Sequence, residues 1–100
     1  MTVRKLVFED FADKVGDVFP ICDRDVPRIP LTLAEAELQE AKWHMPGIRP
    51  SFSLVFLAKE GTVLPQRLYR MEHDQLGELE IFLVPVAKDG QGVSYQATFN

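Results

Sequence analysis

One cysteine in a hundred residues, no apolar stretch long enough to cross a membrane, and no surplus of basic charge: these shortages set the first limits on this chain. A lone Cys22 excludes a disulfide within the chain. In "FPICDRD" it has no second cysteine or nearby histidine, so it reads as a small buried apolar residue rather than a nucleophile. Lys and Arg total 11 against 15 Asp and Glu, a formal charge of -4 with a pI near 5.1. Non-specific nucleic-acid or anionic-membrane binding rests on a basic field, which this composition does not supply. The start, "MTVRKLVFEDFADKV", turns acidic within a few residues of Arg4 and Lys5 and lacks the apolar run of a signal peptide. A cytoplasmic protein is the expectation.

Motifs are missing too. There is no Walker loop, "GxGxxG", "CxxC", "HExxH" or "GxSxG" elbow. "KDGQG" lacks the strand-to-helix setting that a phosphate loop requires and reads as a hairpin turn. Catalytic residues, metal ligands and cofactors are therefore not assigned.

What is present is an ordinary globular composition, 46% hydrophobic and 10% aromatic, in a length that suits one domain over 1–100. Val7, Phe11 and Val15 recur at helical period, and Gly16 follows where a C-terminal cap is expected. The pattern predicts a helix over about 6–14, a first strand over 17–22, and a loop in "DRDVPRIP". "LTLAEAELQEAKW" mixes strand and helix signals and is read as strand over about 29–38. "WHMPGIRP" is loop, and its Trp43, beside His44, is either a cover for one end of the core or an exposed anchor.

From residue 51 three turn-like breaks, "KEGTV", "HDQLG" and "KDGQG", separate four alternating segments, about 51–58, 64–72, 78–87 and 93–99. Matching faces sets Glu72 opposite Glu78, Met71 opposite Leu79, Arg70 opposite Glu80 and Tyr69 opposite Ile81. In the last hairpin, with Lys88 to Gly92 as loop, Pro85 faces Tyr95, Leu83 faces Ala97 and Ile81 faces Phe99. Pairing the first two segments sets Leu54 opposite Leu68 and Phe52 opposite Arg70. The expected fold is thus α+β and mainly antiparallel β. It has a short N-terminal helix, a sheet of five to six strands able to close part-way into a barrel, and a C-terminal four-strand meander.

Pro85 tests that arrangement, because proline cannot donate to a central ladder; its missing N–H must fall where pairing has ended. The second face of the meander then collects Phe52, Leu54, Phe56, Leu68, Phe82, Val84 and Val86. A sheet with one wet face would alternate more cleanly. Either the N-terminal half covers this face or a partner shares it.

His73 stands among Glu72, Asp74, Glu78 and Glu80, which raises a metal or acid–base site. Adjacent side chains of an extended strand point apart, whereas a metal wants three or four converging ligands. Asp74 and Gly77 favour a turn, so His73 is expected to be solvated at its mouth.

Taken together, "FADKVGDVF", "FSLVF", "LPQRLYRMEHDQLGELEIFLVPV" and "YQATFN" resemble a family of small bacterial domains of about this size with no assigned function. The most specific parts are the "LPQ…Y…H…LG…FLVP" run and the aromatic C-terminal strand, and the resemblance is weakest over residues 28–50. It implies a stand-alone domain with a structural or assembly role, loosely associated with phage-tail-like gene neighbourhoods, and no catalytic residues to carry over.

Two functions remain open. In the first, a non-enzymatic interaction or assembly domain presents Phe52, Leu54, Phe56, Leu68, Phe82, Val84 and Trp43 to a protein partner or a second copy. In the second, a small-ligand module or minor enzyme draws on Arg67, Tyr69, His73 and Tyr95 to line a pocket.

Overall fold

The computed structural model describes residues 6–38, 51–59 and 63–99. Trp43 and its loop lie outside them. One short helix, α1 (Glu9–Ala12), precedes six strands: β1 (Val18–Pro20), β2 (Pro30–Leu38), β3 (Phe52–Ala58), β4 (Arg67–His73), β5 (Gly77–Asp89) and β6 (Gly92–Phe99). All are antiparallel to their neighbours, in the order β1-β2-β3-β6-β5-β4. The two ends of this sheet approach each other. Ile21 bridges to Met71, and the Cys22 N–H donates to the Arg70 carbonyl at 2.8 Å. The result is a nearly closed six-stranded barrel, matching the expected class.

The order of strands differs from the expected meander. β3 does not pair with β4; it lies between β2 and β6, with Leu54 opposite Ala97, Phe56 opposite Tyr95 and Phe52 opposite Phe99. Strands 3-6-5-4 therefore form a Greek key, with β3 beside β6 rather than beside β4. The expected pairs Leu54–Leu68 and Phe52–Arg70 do not form. The β4–β5 register is the one the faces demanded, with Tyr69 opposite Ile81 and Glu72 opposite Glu78.

β5 and β6 meet at Pro85 and Tyr95 as expected, but the ladder shifts by one residue before Ala87 and continues to Asp89 opposite Gly92. The connection is thereby two residues, Gly90 and Gln91, rather than five. That ladder runs no further back than Val84 opposite Gln96, so Leu83–Ala97 and Ile81–Phe99 lie beyond its end. The β4 ladder likewise stops at Arg67 opposite Leu83, leaving Pro85 beyond paired backbone on that side. A bulge beside it is where a strand proline is tolerated. Gly92, with φ of +134°, lies so close to β3 that a Cβ there would meet the Ala58 carbonyl oxygen at 2.0 Å.

α1 is shorter than the periodicity implied. Phe8 at its N-cap offers no side-chain cap, and Asp13, at φ -98° and ψ 13°, ends it. Gly16 does not cap the helix. Its φ of +98° turns its N–H onto the Leu33 carbonyl at 2.7 Å, while the Leu33 N–H donates to Asp17. Both bonds tie the helix exit to β2.

Inward positions fill the barrel: Leu31, Leu33, Leu54, Phe56, Tyr69, Met71, Ile81, Leu83 and Tyr95 are all buried. α1 plugs one end. Phe11 reaches Phe19, Phe52 and Phe99 at centroid distances of 6.0–6.1 Å, and Phe52 stacks on Phe99 at 4.6 Å. These separations are those of attractive aromatic pairs. Among the described residues no helix is long and apolar enough to cross a membrane.

Candidate functional site

Among the described residues, three of the seven exposed large apolar side chains, Leu68, Phe82 and Val86, lie on the outer wall of β4 and β5. Leu68 and Phe82 are direct cross-strand partners on the outside and are 50% and 47% exposed. Val84, partly buried, and Val86, exposed in the bulge, continue the row along β5. Its neighbour on β6, Gln96, is exposed and polar. The strip is a consequence of parity: even-numbered positions of β5 up to the bulge face outward, because Leu79, Ile81 and Leu83 face inward.

Phe52, Leu54 and Phe56 do not belong to this strip. They are buried in the barrel, since β3 pairs with β6 and shares the face of Tyr95, Ala97 and Phe99. The expected surface therefore divides into three core residues, three strip residues, and Trp43, which lies outside the described residues.

On the side of the strip facing the β1–β4 seam, Arg67 is held by two carboxylates. Its Nη1 lies 2.9 Å from Asp25 Oδ2 and its Nη2 3.5 Å from Asp23 Oδ2. The hydrogen bond from Arg67 holds the Asp25 carboxyl below its ordinary pKa. The guanidinium also covers the Tyr69 ring at 4.8 Å, within cation–π range. Asp23 additionally accepts the Arg70 backbone N–H at 2.8 Å, sealing the seam. Cys22 is half-buried there rather than in the core. Burial, then the charges of Glu72 and Glu78, pushes its thiol pKa up, which opposes nucleophilic use.

At the plugged end, His73 is not solvated. It is buried, stacked on Phe19 at 4.6 Å, with Nε2 2.8 Å from Asp17 Oδ2. Its Nδ1 accepts the Gln75 and Leu76 backbone N–H groups at 3.0 and 3.3 Å. Those two donors fix the tautomer: Nε2 carries the proton and donates to Asp17. The turn falls where it was expected, but His73 pairs with Gly77, so the connection is three residues rather than the five of "HDQLG", closed by Gly77 at φ +76°. Strand parity already placed His73 with Tyr69 and Met71 on the core face, a signal the acidic surroundings obscured. Asp17, 56 positions away in the chain, had no sequence signal.

Of the four ligand-lining residues, Arg67, Tyr69 and Tyr95 lie together and His73 lies apart. Tyr69 donates its hydroxyl to the Pro65 carbonyl, and the Tyr95 hydroxyl accepts the Leu64 N–H at 3.0 Å. Both rings are fully buried. Arg67 lies over the Tyr69 ring at the seam, whereas His73 is four residues along β4 from Tyr69, about 13 Å at strand rise. A shallow open groove beside His73 is lined by Asp17, Val18, Asp74 and Gln75. Among the described residues no three His, Cys, Asp or Glu side chains are grouped to hold a metal ion.

With this geometry in place, the whole described barrel coincides with one family model: residues 6–99 match the domain of unknown function DUF6916. The chain belongs to the DUF6916 family. That assignment agrees with the resemblance to uncharacterised domains of about a hundred residues, and its description attaches no activity. Comparison with the curated proteins and with the solved structures found no significant match.

Proposed function

We propose that this DUF6916 domain is a non-enzymatic protein-interaction domain whose contact surface is the outer strip Leu68, Phe82 and Val84, extended by Val86. The observation that carries this reading is the cross-strand Leu68–Phe82 pair, half exposed on a barrel whose interior is already filled. Exposed aromatic and aliphatic side chains side by side are the usual core of a contact patch. The commitment of both His73 nitrogens to Asp17 and to backbone N–H groups speaks against acid–base work there. The hydroxyls of Tyr69 and Tyr95 are engaged by the Pro65 carbonyl and the Leu64 N–H, and Arg67 by Asp23 and Asp25, so the polar groups of the alternative ligand set already have partners within the chain. A cytoplasmic setting and an assembly role beside phage-tail-like gene products belong to the proposal through the composition and the resemblance.

The test is crosslinking capture from the native cells with three baits: wild type, Leu68→Thr and Phe82→Thr. Threonine keeps strand propensity while removing the apolar contact. A defined partner, or a second copy, recovered with wild type and lost with both folded variants supports the reading. Partners recovered equally with all three baits would sink it.

A further inference from the structure

The apolar strip has a net-acidic border on one side. From Leu68–Phe82 toward the β4–β5 turn, the next outward rows are Arg70–Glu80 and Glu72–Glu78. Arg70 is paired with Glu78 at 2.9 Å and lies 3.9 Å from Glu80. Arg28 is engaged by Glu72, and Arg67 is shared between Asp23 and Asp25. With Arg24, exposed between Asp23 and Asp25 in the chain, four guanidinium groups stand against five carboxylates, and one negative charge is left over. The acidic groups are also accessible: the side chains of Asp25 and Glu80 are 68% and 47% exposed. The opposite border, on β6, is Gln96, neutral and exposed. At the far end Lys88 and Asp89 offset each other in charge.

Taking the strip as protein-binding, we infer that its partner is a protein segment presenting a large apolar side chain flanked by lysines or arginines. The apolar side chain covers Leu68 and Phe82, while its basic neighbours meet the carboxylate border that the barrel's own arginines leave net negative. Complementary charge of this kind chooses partners and speeds encounter more than it adds affinity. It also disfavours a second copy, because strip against strip would bring two net-acidic borders together.

The experiment is selection of a displayed random-sequence peptide library on the immobilised full chain, followed by titration of the leading synthetic peptide. The selected peptides carry Lys or Arg beside Leu, Phe or Trp. Their affinity falls at least about tenfold with Phe82→Thr and with Glu80→Lys, and weakens as salt is raised. Glu80→Gln, which only removes the charge, replaces Glu80→Lys if the latter does not fold. Selected peptides without basic residues, or undiminished binding by both Glu80 variants, overturn the partner's chemistry while the strip stands. No selection, or selection indifferent to Phe82→Thr, overturns the strip as a binding surface and the inference with it. Sedimentation supplies the remaining arm: a dimer abolished by Phe82→Thr assigns the strip to a second copy and overturns the basic partner.

Discussion

Nε2 of His73 and Oδ2 of Asp17 lie 2.8 Å apart, joining the β4–β5 turn to the segment entering β1. The same imidazole accepts two turn N–H groups and stacks on Phe19, so one ring ties three pieces of chain together at the plugged end. His73→Ala removes the packing of a buried ring and leaves those turn donors unpaired, a combined loss of roughly 2–4 kcal/mol. Urea unfolding measures it, and amide exchange at Gln75 and Leu76 should accelerate. Unchanged exchange there would refute the structural role. Asp17→Asn, which keeps an acceptor, should cost roughly 0.5–1.5 kcal/mol.

The division between wall and strip predicts opposite outcomes for similar substitutions. Leu54→Ala empties part of the interior and should cost roughly 2–5 kcal/mol. Phe82→Thr acts on a half-exposed residue and should stay within about 1 kcal/mol. Thermal or urea unfolding of the two variants compares them directly, and a larger loss from Phe82→Thr would put the wrong face on the outside.

Tyr69 sets an alkaline limit. Burial raises the pKa of its phenol above the ordinary value. The folded chain therefore holds this proton more tightly than the unfolded chain does, so the associated stability is fully present below the unfolded pKa, about 10, and is lost as pH rises through the folded one. Tyr69→Phe should flatten the decline of stability in that alkaline window. At neutral pH it should cost roughly 0.5–1.5 kcal/mol for the lost bond to Pro65. Denaturation midpoints across the alkaline range decide it, and an identical decline in both proteins would exclude Tyr69 as the group responsible.

Cys22 should be a slow thiol. With its pKa raised by burial and by Glu72 and Glu78, less thiolate is present at a given pH than in a free cysteine. Alkylation by iodoacetamide should accordingly lag behind free cysteine near neutrality, and Glu72→Gln should quicken it. A rate equal to or above that of free cysteine would contradict the described environment.

Much of the barrel was legible because side-chain alternation is strict. The Tyr69–Ile81 and Met71–Leu79 pairings followed from asking which residues share a face, and a short hairpin leaves few other registers. The same reasoning failed for β3. Alternation groups Phe52, Leu54 and Phe56 on one face but does not name the neighbouring strand, and the nearest strand in sequence was the natural choice. Once β3 pairs with β6, that face becomes the interior. Pro85 gave a true warning of an irregular ladder, although not its form, a one-residue shift that lengthens β5 to Asp89. The strip was half legible: Leu68, Phe82 and Val84 were singled out by parity, but the charge balance around them depends on Asp23, Asp25 and Arg28, which only the closed seam brings alongside.

The place of β6 between β3 and β5 has a consequence for synthesis. As the chain emerges from the ribosome, β1, β2 and β3 can associate early and β4 can pair with β5, yet until residues 92–99 are free only the short β1–β4 seam can join the two groups. Until then one edge of β3 lacks the strand that covers it, and Leu54 and Phe56 have no Ala97 and Tyr95 to face. Such late, long-range pairings slow folding and leave sticky intermediates. Translation stalled before residue 92 should therefore give two half-built ribbons in need of a chaperone, and release of that final strand should complete the barrel in one step.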